Sequence, residues 1–260
     1  MTSRRMWLRF AAAATLTPVL VRVSASAAPL EEVAARVKRS VVAVGTFLPT
    51  RSPAFLFSGT GFAIGDGTVI ATNAHVVPPA LDAERREALV ALLPGGDGGG
   101  ERRPATVVAM DREHDLALLR ISGAPLPSLT LSSRDSVPDG QSAAFTGFPI
   151  GAVLGVIPAT HRATVAATTP IVLPGTNAAQ LDERVVRRLQ TPAMMVLQLD
   201  ATAYPGNSGS PLYDATSGDV LGIVNLVFVK GTKEAALAQP SGISFAIPAR
   251  HLIALLALLK

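Results

Sequence analysis

Three residue types that together make an activated nucleophile occur in this chain in the order His75, Asp115, Ser208. A serine hydroxyl attacks poorly until a neighbouring imidazole takes its proton, and the imidazole needs a carboxylate to fix its tautomer and support its charged form. Ser208 stands in GNSGSP at 206–211, where glycines at 206 and 209 permit positive φ and the close approach of a carbonyl. The N–H groups of Gly206 and Ser208 are therefore candidate oxyanion donors. Gly, Asn and Ser are also ordinary turn formers, and the hexapeptide alone reads equally well as a plain hairpin turn. The other two segments change the balance. His75 lies at the end of the apolar run VIATNAHVV at 69–77, and Asp115 lies in DREHDLALLRI at 111–121, just before an alternating strand. The chemistry such a set performs is acyl transfer through a covalent serine intermediate.

These residues need strands to carry them. PLEEVAARVKRS at 29–40 has helical spacing and leads into the strand-like SVVAVGTF, so a short helix packed on the first sheet is expected. From there to about residue 130 short apolar or alternating runs are separated by turn signals such as Gly65-Asp66-Gly67 and Pro94-Gly95-Gly96. Many short strands at regular spacing suggest a barrel or sandwich. PGGDGGG at 94–100 reads as a loop, since no lysine or P-loop pattern follows it. A second set of strands runs from about 141 to 247. PARHLIALLALLK from 248 begins with Pro at a helix-compatible position and carries a broad leucine face, which predicts a terminal helix docked on the second half. TNAAQLDERVVRRLQ at 176–190 has Leu181, Val185 and Leu189 at four-residue steps, the pattern of a short amphipathic helix that either rests on the surface or borders and gates a cleft.

Five segments in order resemble the trypsin-like serine peptidases, and within them the bacterial HtrA/Deg-type protease domain. GTGFAIGDGTVIATNAHVV at 59–77 is similar to the family's histidine block and EHDLALLRI at 113–121 to its aspartate block; QSAAFTGFPIG at 141–151, LDATAYPGNSGSPLYDATSGDVLGIVN at 199–225 and GISFAIP at 242–248 follow in register. The resemblance covers most of residues 30–250. It implies an all-β fold of two six-stranded antiparallel barrels with a short N-terminal and a C-terminal helix. The implied division is an N-terminal segment and first barrel at 28–130, a second barrel at 131–248 and a helix at 249–260. The implied activity is that of a serine endopeptidase acting on proteins or peptides, with His75, Asp115 and Ser208 as its triad and Gly206 and Ser208 at the oxyanion hole.

Residue-by-residue matching puts Thr202 and Ala203 on one wall of the primary specificity pocket, with Val227 and Gly242 as candidates for the other. None is acidic, so a Lys or Arg side chain would be buried there unpaired, and a small or medium apolar side chain fits better. Two departures stand out. Asn207 occupies the place where many digestive relatives carry an aspartate, so activation by a newly cut N-terminal amine is not expected. Ser210 replaces the second glycine common in HtrA-type sequences. The PDZ module usual in full HtrA proteins has no counterpart in the sequence. His114 should face away from Asp115, while His161 and His251 lack any motif and read as packed or polar residues. No His, Asp and Glu set has metal-ligand spacing, and neither metal nor cofactor is implied. A catalytically idle peptide-binding module on the same fold and a serine esterase are the alternatives.

Composition adds a compartment and removes two partner classes. The chain of 260 residues carries a formal charge of +4, which invites a nucleic-acid or membrane reading. Residues 1–27, however, hold Arg4, Arg5, Arg9 and Arg22 and no acidic residue, so their removal takes the charge from +4 to 0. This segment has a basic start, an apolar run from Phe10 to Val21 and the small-residue site Ala25-Ser26-Ala27, the layout of an export signal. The run is shorter than the roughly 20 residues a membrane span needs, so no stable insertion is expected after its removal. SRRMWLR at 3–9 resembles a twin-arginine export motif, with Trp7 and Arg9 where Phe and Lys are usual; an ordinary secretory start is the alternative. Cysteine is absent, which excludes disulfides and thiol chemistry. A bacterial periplasm or secretion is the expected destination.

Overall fold

The computed structural model describes residues 28–94, 100–151, 155–171, 193–226 and 242–259. The leader at 1–27, Val227, most of the loop at 94–100 and the helix expected at 176–190 lie outside the described residues, apart from the ends of that loop. Twelve strands are described. β1 (Val41–Phe47), β2 (Phe55–Ile64), β3 (Val69–Asn73), β4 (Ala88–Leu92), β5 (Arg102–Asp111) and β6 (Leu116–Ile121) close a barrel in the order β1-β2-β3-β6-β5-β4. β7 (Ser142–Gly147), β8 (Ala159–Ile171), β9 (Met194–Asp200), β10 (Pro211–Asp214), β11 (Val220–Asn225) and β12 (Ile243–Pro248) close a second in the order β10-β11-β12-β9-β8-β7. Every pairing between these strands is antiparallel, which makes this the expected double barrel.

The nearly unbroken apolar runs have a packing reason. Successive strand side chains point to opposite faces. In β1, Val42 and Val44 join Ala63, Ile70, Leu119 and Ile121 in one cluster, the filling of the first barrel. Their neighbours Val41 and Ala43 join Phe62, Leu116 and Leu118 in another, which also takes in Ala144, Tyr213, Val220 and Ile223 of the second barrel. One face thus fills a barrel and the other seals barrel to barrel, so neither can be polar. Phe145, Val165, Leu197, Leu199 and Leu212 fill the second barrel in the same way.

Two helices flank this seam. α1 (Leu30–Lys38) carries Glu31 and Glu32 in its first turn and Arg36 and Lys38 in its last, matching the helix dipole. It was expected on the first sheet. Val33 and Val37 instead enter the seam cluster, the helix packs against β7, and Arg36 Nη2 donates to the Ser217 carbonyl at 2.5 Å. α2 (Ala249–Ala257), expected on the second barrel, buries Leu252 and Leu255 in that same cluster and touches β5 and β6 as well as β11 and β12. Both helices thus bury their apolar faces in the cluster shared by the two barrels.

The connector between barrels is stitched to both. Leu126 N donates to Gly67 O at 2.9 Å and Leu129 N to Ala63 O at 2.9 Å; Val220 N then donates to Thr130 O at 2.8 Å and Ser132 N to Val220 O at 2.8 Å.

Candidate active site

His75 is delivered by β3, all five residues of which are buried, through a single 3₁₀ turn at Ala74–Val76. Asn73 pairs with Leu116 in the β3–β6 ladder, which brings the residue before β6 alongside that turn. That residue is Asp115, and its backbone is left-handed at φ 53°, a region Asp visits more readily than most residues. The preceding turn is capped by Asp111, whose Oδ1 accepts from Glu113 N and His114 N at 3.0 Å each. The Asp115 carbonyl accepts from Ala74 N at 3.0 Å and Asn73 Nδ2 at 3.1 Å. Its Oδ1 accepts from His75 N at 2.8 Å, and Oδ2 lies 2.5 Å from His75 Nδ1. A carboxylate can only accept, so it assigns the proton to Nδ1 and leaves Nε2 free to take another. The imidazole keeps a third of its surface in solvent, with side-chain exposures of 32% for His75 and 19% for Asp115.

A third donor reaches the same carboxylate from the other barrel. Asn225 Nδ2, at the end of β11, donates to Asp115 Oδ2 at 2.6 Å. Sequence reasoning missed this residue. Its signal was a polar side chain closing the apolar run VLGIV, and Asn225 is fully buried.

Ser208 stands in the turn before β10 and is 6% exposed. The turn folds on itself through Asn207 N to Tyr204 O at 2.9 Å and Ser210 N to Asn207 O at 3.0 Å. Gly209 N donates to Val224 O and Val224 N to Ser210 O, so the turn that carries Ser208 is bonded to β11 at the residue before Asn225. Thr60 N of β2 donates to Ser208 O at 2.8 Å, fastening the turn to the first barrel. A Cβ at Gly59 would meet Val76 Cγ2 at 2.7 Å and Ser208 O at 3.0 Å, so the segments carrying His75 and Ser208 flank the same glycine. The glycines of the motif are required: Gly206 has φ 101° and Gly209 φ 87°, and a Cβ at Gly209 would strike the Thr60 carbonyl. Among the described residues, no acceptor takes the N–H of Gly206 or of Ser208.

Two polar residues of this turn point into the protein. Asn207 and Ser210 are fully buried, and Asn207 Oδ1, Asn207 Nδ2 and Ser210 Oγ have no hydrogen-bond partner among the described residues. Gly147 makes room for them, since a Cβ there would run into Ser210 Oγ and come within 2.9 Å of Asn207 Oδ1.

Of the expected pocket walls, Gly242 lies beside the segment holding Thr202 and Ala203: Ala201 N donates to Gly242 O at 3.0 Å. Ser244, a second residue sequence reasoning missed, bridges that segment. Its hydroxyl donates to Ala201 O at 2.8 Å and accepts from Ala203 N at 2.9 Å. A buried Ser in a strand carries no distinguishing signal by itself.

The remaining histidines have structural partners. His114 Nδ1 lies 2.6 Å from Asp111 Oδ2, and its ring stacks on His251 of α2 with centroids 4.1 Å apart. Burial raises the Asp111 carboxyl, but the His114 backbone and ring and the Glu113 N–H outweigh this and hold it below its ordinary value. Burial lowers His251 to about 4, helped by His114 and Arg250 and opposed by Asp111. His161 stacks on Phe145 with centroids 4.8 Å apart, and burial lowers it too. Among the described residues no group of His, Asp and Glu could hold a metal ion.

A family model described as "Trypsin-like peptidase domain" matches residues 59–223, which contain His75, Asp115, Ser208 and both glycines of the turn. The chain belongs to the trypsin-like peptidases. Its relatives in this family are of HtrA type. A "Probable periplasmic serine endoprotease DegP-like" from Halomonas elongata is 32% identical over 73% of this chain and 32% of its own length. "Serine protease HTRA3" from Rattus norvegicus is 33% identical over 84% of this chain and 42% of its own. Among solved structures, "HtrA-type protease AlgW with tripeptide" is 26% identical with a TM-score of 0.62, covering 88% of this chain and 63% of that one. The chain thus spans a third to two-fifths of the length of these curated relatives. As a trypsin-like peptidase domain it carries His75, Asp115 and Ser208, in that order, within the matched residues.

Proposed function

We propose that this trypsin-like domain is an exported serine endopeptidase that hydrolyses peptide bonds through an acyl-enzyme. Ser208 Oγ attacks the carbonyl, His75 Nε2 takes the proton and later returns it to the leaving amine, and Asp115 orients the ring and supports its charge. The N–H groups of Gly206 and Ser208 receive the oxyanion. The observation that carries this reading is the carboxylate of Asp115, which binds the backbone and ring of His75 and Asn225 at once. Asn225 hangs from the strand that also anchors the serine turn. Thr202, Ala203 and Gly242 form the primary pocket, with Val227 assigned to it from the sequence match alone, and it takes a small or medium apolar side chain. Residues 1–27 act as the export leader, 28–130 and 131–248 as the two barrels and 249–260 as the closing helix. The periplasmic relatives support work on proteins outside the cytoplasm.

The test is the intact mass of the purified protein after exposure to a fluorophosphonate, beside Ser208→Ala, with β-casein cleavage followed in parallel. One added phosphonyl group on the unsubstituted protein alone, with casein cut, is the expected result. Losing Ser208 should lower turnover by up to about 10⁶. No label on folded protein would reject the mechanism and leave a peptide-binding module. For the pocket, Ala203→Asp should admit Lys and Arg before the cut, read by mass spectrometry of casein fragments; an unchanged cleavage pattern rejects the wall.

A further inference from the structure

Thr60 lies on the first barrel, 148 residues from the proposed nucleophile by number, is fully buried, and has each of its polar atoms engaged around the serine turn. Its N–H donates to Ser208 O at 2.8 Å. Its hydroxyl donates to Gly206 O at 2.7 Å and accepts from Phe148 N at 3.2 Å, and its carbonyl accepts from Thr72 Oγ1 at 2.7 Å. A hydroxyl offers one donor and two acceptor positions, so the side chain serves the turn and the 148–151 loop together. That loop holds the peptide on the other side of Gly206. Ile150 N donates to Pro205 O at 2.6 Å, and Ile150 is a β-branched residue at φ 50°, a strained backbone that persists only when its surroundings enforce it.

The consequence for Gly206 follows from peptide planarity. In a trans peptide the N–H points opposite to the carbonyl, so anchoring Pro205 O at Ile150 aims the Gly206 N–H the other way. Anchoring Gly206 O at Thr60 fixes the next plane. Gly206 itself resists neither rotation, because glycine populates φ on both sides of zero with little penalty. Aim must come from outside, and among the described residues the Thr60 hydroxyl bonds both to Gly206 and to the loop holding Pro205.

We propose that Thr60 is a positioning residue of the site: its hydroxyl locks the turn so that the N–H groups of Gly206 and Ser208 converge on one oxyanion. The proposal rests on Ser208 being the nucleophile. Donors that diverge would still admit substrate but would lose stabilisation where charge develops, so the loss falls on turnover rather than on binding.

Thr60→Val keeps the shape and removes the hydroxyl, and Thr60→Ser keeps the hydroxyl. Val should slow fluorophosphonate labelling of Ser208 and casein kcat by about 10- to 100-fold, below the loss of a whole oxyanion donor, with KM within about threefold. Ser should stay within about threefold of the unsubstituted protein on every measure. Should Val prevent folding, judged by circular dichroism and melting, Thr60→Cys takes its place, a weaker hydrogen-bonding group with an intermediate loss expected. Labelling by a folded Val or Cys variant at the unsubstituted rate overturns the proposal, as does a Ser variant as slow as Val. If the unsubstituted protein takes no label, or Ser208→Ala takes as much, the nucleophile assignment has failed and the positioning role falls with it.

Discussion

The two barrels meet at one site with opposite degrees of polar completeness. On the first-barrel side every oxygen of Asp115 is engaged: the carbonyl by Ala74 and Asn73, Oδ1 by the His75 backbone, Oδ2 by the His75 ring and Asn225. Of the neighbouring polar atoms there, Asn73 Oδ1 goes without a partner. On the second-barrel side the serine turn rests on Asn207 and Ser210, whose three buried polar side-chain atoms have none among the described residues. An unmade buried hydrogen bond costs about 1–3 kcal/mol, so these side chains add less to the serine turn than the bonded set around Asp115 adds to its own segment. The first half is a template fixed by its own bonds. The second is a glycine turn fixed by bonds lent to it by Thr60, Ile150 and Val224.

Cutting the bond from the second barrel to the Asp115 carboxylate should have a large effect. Asn225→Ala removes a short hydrogen bond to a carboxylate, a class worth about 1.5–3 kcal/mol, which corresponds to roughly 10- to 100-fold in kcat. KM for casein should change little. A variant with unchanged kcat would show that Asp115 is held by its own barrel alone.

A smaller effect separates the helix contact from the site. His251 is neutral in the folded protein down to about pH 4, whereas the unfolded chain takes up its proton near 6.5. Its contribution is therefore full above about 6.5, is lost as pH falls towards 4, and changes no further below that, because both states are then protonated. Melting temperature should fall through this window by at least about 2–4 °C, the shift that roughly 1 kcal/mol produces in a domain of this size. His251→Phe keeps a ring against His114 and should flatten the fall, leaving the part due to His161. Melting curves at pH 7, 5.5 and 4 decide it, and equal slopes in both proteins would reject it.

The smallest change tests the incomplete half directly. Ser210→Ala deletes a buried hydroxyl without a described partner and should leave stability unchanged or raise it by up to about 1 kcal/mol. A loss of more than that in denaturant unfolding would mean the hydroxyl is bonded after all, and that the contrast between the halves is weaker than described.

What was legible in the sequence tracks this contrast. His75, Asp115, Ser208 and the turn glycines each sit in a local pattern, and the structure brings the first two into direct contact with the third close by. Thr60, Asn225 and Ser244 were not legible, since a Thr in a strand, an Asn at a strand end and a buried Ser are each ordinary by themselves. Their roles come from partners far away in the chain, 146 residues in the case of Thr60 and Gly206. His114 was read by strand alternation, but it stands in the turn before β6, where its ring pairs with Asp111 and stacks on His251, which arrives on a helix from the far end. The helix positions were legible only in part, since α2 does dock on the second barrel but also on the first: periodicity reports which face is apolar, not which neighbour has surface left to cover it.

The connector between the barrels has a mechanical consequence. A jaw needs a joint, and the strap at 126–132 offers none, because it is tied to Gly67 and Ala63 on one side and to Val220 on the other. Swinging the halves apart would break those ties together with the Asn225 crossing. The connector therefore works as a strap and not as a hinge, and parting the barrels costs several hydrogen bonds at once.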